Sequence, residues 1–186
     1  MRLSHLGLIA TIFFAAACSN QPGPFEISKQ HIGHLTDSTQ VKDLEAIYAK
    51  DSIVRSVSGE EFSGNPNQIE IFEKGGKKLL TLTAKRALDS TSTISSIRIY
   101  DERFKTEKGI TSASTFKDIK DHYKISRISN LINSIVVGVD EINAAFTIDK
   151  EELPANLRFD RNLKFEATHI PDDAKIKYFF INWSKY

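Results

Sequence analysis

Two histidines at short spacing are the first residues in this sequence that could bind a metal ion. His31 and His34 form an H-x-x-H pair, which can present two imidazoles to zinc. A zinc site needs further ligands and groups that orient them, and the sequence contains no H-E-x-x-H pattern. We therefore interpret both histidines as ordinary exposed residues and predict no metal site.

A second group of polar residues lies within one predicted helix and could take part in acid–base chemistry. Asp118 and His122 are spaced i, i+4 and could pair on the helix surface, with Asp121 beside them. A hydrolytic site also needs a nucleophile or a bound water, and no G-x-S-x-G motif accompanies the group. We interpret it as a solvated helix face and predict no catalytic residue and no enzyme. A hydrolase whose site is dispersed in sequence stays open as an alternative.

Three charged patterns could bind phosphate, calcium or nucleic acid, and each lacks a feature that its ligand requires. The glycines and lysines of residues 75–78 lie between two strand-like runs, whereas a P-loop joins a strand to a helix. The acidic residues of segment 140–152 do not follow EF-hand spacing. Lys85-Arg86 is a small basic group without interleaved aromatic residues. We predict no cofactor and no nucleic-acid partner.

The N-terminal residues have the pattern of a secretory signal. Arg2 precedes an apolar run from Leu6 to Ala17, which is too short for a helix across a hydrocarbon core of about 30 Å. A positive start, a short apolar stretch and a small-residue end are typical of a cleaved signal. We expect residues 1–17 to be a signal peptide.

The single cysteine of the chain, Cys18, directly follows Ala15-Ala16-Ala17. The segment resembles a bacterial lipobox, although Leu is commoner than Ala three positions before the cysteine. The resemblance implies lipidation of Cys18 with palmitate and a flexible tether over residues 18–24. It also implies a lipid-anchored protein of the bacterial cell envelope, and the absence of Asp at position 19 favours the outer membrane, facing the periplasm. The alternative is ordinary cleavage at the same bond, which leaves a free thiol.

The composition predicts a folded and electrically neutral body. Hydrophobic residues make up 40% of the 186 residues, and 12 Phe and 5 Tyr can build a core. Removal of residues 1–17 takes away one of the 25 basic residues, which then equal the 24 acidic ones. Net charge therefore gives no overall attraction to nucleic acid or anionic lipid, and the lipid on Cys18 is the expected membrane attachment.

Hydrophobic periodicity predicts two short helices, each followed by several strands. The helices are expected at 41–48, about three turns long, and at 116–123, with a capping box at Thr115 and Asp118. Strands are expected at 25–28, 53–57, 69–73, 79–83, 94–99, 125–128, 135–139, 144–148 and 176–183, with a long irregular connection over 150–173 that contains a short edge strand at 163–165. Gly75-Gly76 is the expected hairpin turn.

The two helical segments, STQVKDLEAIY and STFKDIKDHY, are similar to each other. Their apolar positions have the same i, i+3, i+7 spacing, and they are Val41, Leu44 and Tyr48 in the first and Phe116, Ile119 and Tyr123 in the second. We predict an α+β fold of two helix-plus-antiparallel-sheet units in tandem, 25–105 and 106–186, packed as one body. The alternative is chance, because any helix on a sheet needs a cap and an apolar stripe.

The helix-plus-sheet arrangement is similar to that of small lipoproteins of the outer-membrane barrel-assembly machinery. In tandem it resembles secreted β-lactamase inhibitor proteins, and these families share a Gly and Thr turn before the helix, as at Gly109-Ile110-Thr111. Residues 109–123 also look like a segment of uncharacterised bacterial lipoproteins. The resemblance implies a non-enzymatic interaction or assembly module, with a ligand-binding or inhibitor protein that uses an exposed sheet face as the alternative. The disulfides of the inhibitor proteins are absent, and no partner-binding residue carries over.

The last strand-like run, Tyr178 to Trp183, is apolar or aromatic on both faces. One face must lie in the core. The other face is either covered by another element or exposed as a surface for a protein partner.

Overall fold

The computed structural model describes residues 22–55, 67–160 and 162–184. The predicted signal peptide and Cys18 lie outside these residues. The described strands are β1 Glu26–Ile27, β2 His31–Ile32, β3 Leu35–Thr36, β4 Ser52–Arg55, β5 Gln68–Phe72, β6 Lys78–Ala84, β7 Ile94–Ile99, β8 Lys105–Thr106, β9 Arg127–Asn130, β10 Ser134–Val139, β11 Ala144–Asp149 and β12 Ile176–Asn182. The α-helices are α1 Leu44–Ile47 and α2 Phe116–His122, and short 3₁₀ turns cover Val41–Asp43, Lys150–Glu152 and Ala167–His169. The predicted α+β class is confirmed, with much more sheet than helix.

The main sheet has eight antiparallel strands in the order β4-β5-β6-β7-β12-β11-β10-β9. The first half of the sheet consists of β4 to β7 and the second half of β9 to β12. Each half is a four-stranded meander that follows a short helix, and the last strands of the two halves, β7 and β12, pair at the centre. We call the end of the sheet with turns 73–77 and 131–133 the proximal end. The end with turns 85–93 and 140–143 is the distal end.

One face of this sheet carries the hydrophobic core, and we call it the covered face. One register row of this face crosses all eight strands, and it consists of Ile53, Ile71, Leu80, Ile99, Phe179, Phe146, Val137 and Ile128. Helical residues such as Leu44, Phe116 and Ile119 are fully buried in the same hydrophobic cluster. The alternation of apolar and polar residues along each strand is what selects this face.

The 3₁₀ turn that leads into α1 and the helix α2 begin with matching hydrogen bonds, made to residues just before β7 and β12. The N–H of Val41 donates to the carbonyl of Ser92 at 2.9 Å, and the N–H of Phe116 donates to the carbonyl of Ala174 at 2.9 Å. The preceding residue forms an antiparallel bridge in each case, Gln40 with Thr93 and Thr115 with Lys175. These contacts fix the start of each helix over the covered face.

The capping box predicted before the second helix is confirmed. The Asp118 carboxylate accepts a hydrogen bond from the N–H of Thr115 at 2.7 Å, and the Thr115 hydroxyl accepts one from the N–H of Asp118 at 3.5 Å. The first helix is shorter than the three turns predicted. It consists of the 3₁₀ turn and one α-helical turn, because the N–H of Asp51 bonds back to Tyr48 and turns the chain into β4.

The hairpin predicted around Gly75-Gly76 joins β5 to β6. Gly75 and Gly76 have φ values of 121° and 93°, which side chains with a Cβ rarely adopt. The buried carboxylate of Asp101 lies beside this turn. It accepts a hydrogen bond from Arg103 at 2.6 Å and forms an ion pair with Lys77 at 3.2 Å. Burial raises the pKa of Asp101, but the hydrogen bonds from Arg103 and Lys77 outweigh it and lower the pKa to about 2.

Two strand predictions differ from the structure, and a third is described only in part. No strand forms at 163–165, where the chain is irregular and Phe165 is buried instead. The strand expected at 125–128 runs from Arg127 to Asn130. The strand expected at 53–57 is described as far as Arg55, and residues 56–57 lie outside the described part.

A small second sheet has the order β3-β2-β1-β8. Its strand β1 lies within the strand predicted at 25–28, whereas the two-residue strands β2, β3 and β8 leave no periodicity and were not predicted. The parallel pair β1 and β8 brings residues 26–27 to residues 105–106. Ile27, Ile32 and Leu35 of this sheet belong to the main core. Among the described residues, no helix is long and apolar enough to cross a membrane.

Candidate functional site

The second face of the eight-stranded sheet has no covering layer in the described part of the chain, and we call it the open face. The described helices and the small sheet contribute their apolar residues to the core on the covered face. One register row across the open face consists of Val54, Glu70, Thr81, Arg98, Phe180, Ala145, Gly138 and Arg127. This row mixes charged, aromatic and small residues, in contrast to the aliphatic row behind it.

The centre of the open face is a cation surrounded by aromatic rings, at the seam where β7 pairs with β12. We call Arg98, Tyr100, Tyr178 and Phe180 the Arg98 cluster. The Arg98 guanidinium carbon lies 3.7 Å from the ring centroid of Tyr178, 4.6 Å from that of Tyr100 and 5.9 Å from that of Phe180. Tyr178 and Phe180 meet edge to face, with centroids 6.3 Å apart. These distances are within the range of cation–π attraction.

Lys78 extends the Arg98 cluster on the side of the first half. Its ammonium lies 4.5 Å from the Tyr100 centroid and 5.7 Å from the Phe72 centroid, and it forms an ion pair with Glu70. The Thr81 hydroxyl donates to the Tyr100 hydroxyl at 3.3 Å. The ring of Tyr100 therefore contacts both Lys78 and Arg98.

Arg98 differs from the other described arginines because its side chain has no hydrogen-bonded partner in the described part of the chain. Arg55, Arg86, Arg103 and Arg127 each pair with a carboxylate, and Arg158 donates to a backbone carbonyl. No described carboxylate lies within ion-pair distance of Arg98, and its ring neighbours supply only their π faces. A guanidinium has five N–H donors, arranged to take a carboxylate or phosphate through two parallel hydrogen bonds. The cluster can therefore bind an anionic group.

The two histidines of the H-x-x-H pair have different surroundings. His31 Nδ1 lies 2.7 Å from the Ser28 hydroxyl, and its Nε2 lies 3.8 Å from the carboxylate of Glu26. His34 is exposed. Of the two, only His34 matches the prediction of exposure, because His31 is part of β2 and half-buried. Within the described ranges, no group of three or more His, Cys, Asp or Glu could hold a metal ion.

The acid–histidine group of α2 acts as a helix cap and a solvated surface. Asp118 is occupied by the capping box, and Asp121 forms an ion pair with Lys117. The hydrogen bond and charge of Lys117 lower the pKa of Asp121. His122 Nδ1 lies 2.9 Å from the backbone carbonyl oxygen of Asp118, and no pairing with its carboxylate is present.

The acidic residues of segment 140–152 are distributed among separate partners. Asp140 pairs with Arg127 at 3.0 Å, Glu141 with Lys108 at 2.7 Å and Asp149 with Lys177 at 2.6 Å. They do not converge on one point. This arrangement agrees with the absence of EF-hand spacing.

A cavity of about 430 Å³ opens at the distal end, between the loop at Lys29 and the turn at Asp140. The charges that line it are largely satisfied by each other. Arg127 pairs with Asp140, and Lys29 Nζ donates to the backbone carbonyl of Asp140 at 3.3 Å. The Arg98 cluster, with its unpaired cation, is the stronger candidate for a binding site.

The aromatic residues of β12 divide between the two faces of the sheet. Phe179 and Trp183 are buried, whereas Tyr178 and Phe180 are half-buried on the open face. Sequence reasoning singled out this run but missed Arg98 and Tyr100. The available signal was the alternation Ile97-Arg98-Ile99-Tyr100, in which the residues between two core isoleucines must face the other way.

No protein-family model matches this chain, and no curated protein matches it. A solved structure does. The fold is similar to that of YfeY. This is an uncharacterised protein from Escherichia coli, and the two share 15% identity with a TM-score of 0.54. The match covers 84% of this chain and 99% of YfeY. At this identity the similarity shows the fold alone.

Proposed function

We propose that the protein is a non-enzymatic interaction module that binds an acidic segment of a partner protein on the open face. The observation that carries the proposal is Arg98, a half-buried cation among three aromatic rings without a carboxylate partner in the described structure. Tyr and Arg are enriched among the residues that dominate binding energy at protein interfaces. A carboxylate from the partner would supply the hydrogen bonds that Arg98 lacks.

The proposed location is the bacterial cell envelope, with the protein lipid-anchored through Cys18, on the outer membrane facing the periplasm. This part rests on the sequence around Cys18 and on the resemblance to bacterial lipoproteins. An assembly module and an inhibitor would use the same open face. They differ in whether the captured partner is a structural protein or an enzyme that loses activity.

We further propose that residues 25–105 and 106–186 are two copies of one helix-plus-sheet unit. Support comes from the matching bonds at Val41 and Phe116, and from a second matching pair. In that pair the N–H of Ile94 donates to the carbonyl of Thr39 at 3.3 Å, and the N–H of Ile176 donates to the carbonyl of Ser114 at 3.4 Å. The Arg98 cluster would then be formed by both copies, with Arg98 and Tyr100 from the first and Tyr178 and Phe180 from the second.

The experiment compares partner capture by the full-length protein and two variants, produced with a C-terminal affinity tag in cells that naturally make it. Arg98→Met removes the charge and keeps an apolar stem of similar length. Arg55→Met makes the same change in β4, outside the Arg98 cluster. Arg55 forms an ion pair with Glu45, with the nitrogen and oxygen 3.2 Å apart. We expect an envelope protein that is recovered with the wild type and with Arg55→Met and is lost with Arg98→Met.

Equal capture by all three proteins would contradict the proposal, as would a failure of the wild type to retain any specific protein. Circular dichroism of each variant checks that the fold is unchanged. The anchor is tested separately by labelled palmitate, which we expect in the wild type and not in Cys18→Ser. Incorporation that persists in Cys18→Ser would rule out this anchor.

A further inference from the structure

Three exposed apolar residues lie on two neighbouring segments at the proximal corner of the second half. The described part of the chain has five exposed large apolar side chains, and they are Val54, Leu88, Leu131, Ile132 and Phe159. Ile132 is 71% exposed and Phe159 87% exposed. Single exposed apolar residues are normal, but three at one corner mark a contact surface.

The three residues lie on two segments that are bonded together. Leu131 and Ile132 form the tip of the β9–β10 hairpin, directly after Asn130. The Asn130 amide donates to the carbonyl of Asp160, the neighbour of Phe159, at 3.1 Å. It also donates to the carbonyl of Leu163 at 3.0 Å. We call Leu131, Ile132 and Phe159 the apolar tip.

The N-terminal chain enters the body at the same end of the sheet. Arg103 connects the start of the described chain to the proximal turn, because its guanidinium lies 4.5 Å from the Phe25 ring centroid and 2.9 Å from the carboxylate of Glu73. Glu73 belongs to the proximal turn between β5 and β6. Residues 18–24 can span at most about 25 Å. A membrane that holds Cys18 therefore lies near the proximal end.

Charges of both signs lie near the apolar tip. Lys164 is exposed beside Leu163, and Asp160 is exposed beside Phe159. Lys164 forms no ion pair with a described residue. Binding to the interface of a bilayer grows with the apolar area that is buried there, so apolar side chains that protrude from a tight turn suit it.

We propose that the apolar tip inserts into the surface of a lipid membrane and orients the protein on it. The tip is a protruding hairpin and not a groove, which favours lipid over a protein segment. The orientation rests on the membrane location proposed above, but insertion of the tip does not require the lipid on Cys18. Because the tip lies at one end of the sheet, the open face then remains exposed to solvent, where its partner can bind.

The test uses residues 19–186, which lack the signal and the single cysteine. This part retains the described core, from Ile27 to Trp183. Binding to phosphatidylcholine vesicles with and without phosphatidylglycerol is measured by co-sedimentation. We expect binding to both kinds of vesicle, a loss of at least about tenfold in the double variant Leu131→Asp/Ile132→Asp, and no loss in Leu88→Asp. Leu88 is 79% exposed at the distal end and is the matched control.

A fluorescent probe reports insertion directly. Ile132→Cys and Leu88→Cys each provide a unique thiol for an environment-sensitive dye. We expect a blue shift on vesicles for the dye at position 132 only. Absence of vesicle binding, or equal binding by the Asp double variant, would overturn the proposal. A difference in oligomeric state between the wild type and the Asp double variant would also overturn it, because the tip would then join two copies of this chain. Arg98→Met should bind vesicles normally, which separates this test from that of the proposed function.

Discussion

The two faces of the eight-stranded sheet are built from the same strands, yet neighbouring residues on each strand have different tasks. On β12, Phe179 is fully buried on the covered face and stacks on Phe146 with ring centroids 4.6 Å apart. Its neighbour Phe180 is half-buried on the open face, opposite Arg98. The comparison shows that an aromatic residue in a strand cannot be assigned to stability or to binding from its type alone. Its face decides.

The largest difference between the faces is expected from alanine substitutions at these two neighbours. Phe179→Ala should lower the free energy of unfolding by about 3–5 kcal/mol, because it leaves a cavity in the core. Phe180→Ala should cost about 1–2 kcal/mol, mostly from lost strand packing. Urea unfolding followed by circular dichroism measures both values. If the two costs were equal, the open face would be buried as deeply as the covered one.

The second prediction concerns the link beside the proximal turn. Asp101→Asn should cost about 1–3 kcal/mol at neutral pH, because Arg103 and Lys77 lose a buried charged partner. The folded pKa of Asp101, about 2, lies below its ordinary value of 3.8. Its contribution is therefore fully present above the ordinary value and disappears as pH falls through the folded value.

The measurement is the urea midpoint of wild type and Asp101→Asn between about pH 6 and about pH 2. We expect the gap between them to close towards the acidic end. A gap that stays constant would show that the Asp101 charge does not stabilise the fold.

The third prediction concerns a substitution that weakens packing on the covered face and leaves the residues of the open face unchanged. Thr115→Ala removes the cap of α2 and should cost about 1 kcal/mol of unfolding free energy. Thr115→Ser keeps the hydroxyl and should restore most of it. Partner capture should be unchanged in both variants. Lost capture in a folded Thr115→Ala protein would mean that the two faces are not independent.

The smallest expected effect on stability belongs to the residue with the largest expected effect on binding. Arg98→Met should lower the unfolding free energy by about 0.5–1 kcal/mol, because only cation–π contacts are lost. A cost near that of Phe179→Ala would place Arg98 among the structural residues. The same urea titration provides the comparison.

Sequence reasoning predicted what depends on local pattern. The Gly75-Gly76 hairpin and the Thr115 capping box are confirmed, because turn and cap residues act on their immediate neighbours. The two-residue strands β2, β3 and β8 and the absence of a strand at 163–165 could not be predicted, because non-local packing decides them. Arg98 and Phe180 become neighbours only through the pairing of β7 with β12, which no local pattern encodes.

Site-specific photo-crosslinking in living cells tests the central claim, that the open face binds a protein partner, most directly. A photoreactive phenylalanine analogue replaces Phe180 on the open face or Leu88 at the distal end, in the full-length protein. We predict a discrete crosslinked partner from position 180, none from position 88, and loss of the product when Arg98→Met is added. The same products from both positions, or a product at position 180 that persists with Arg98→Met, would contradict the account.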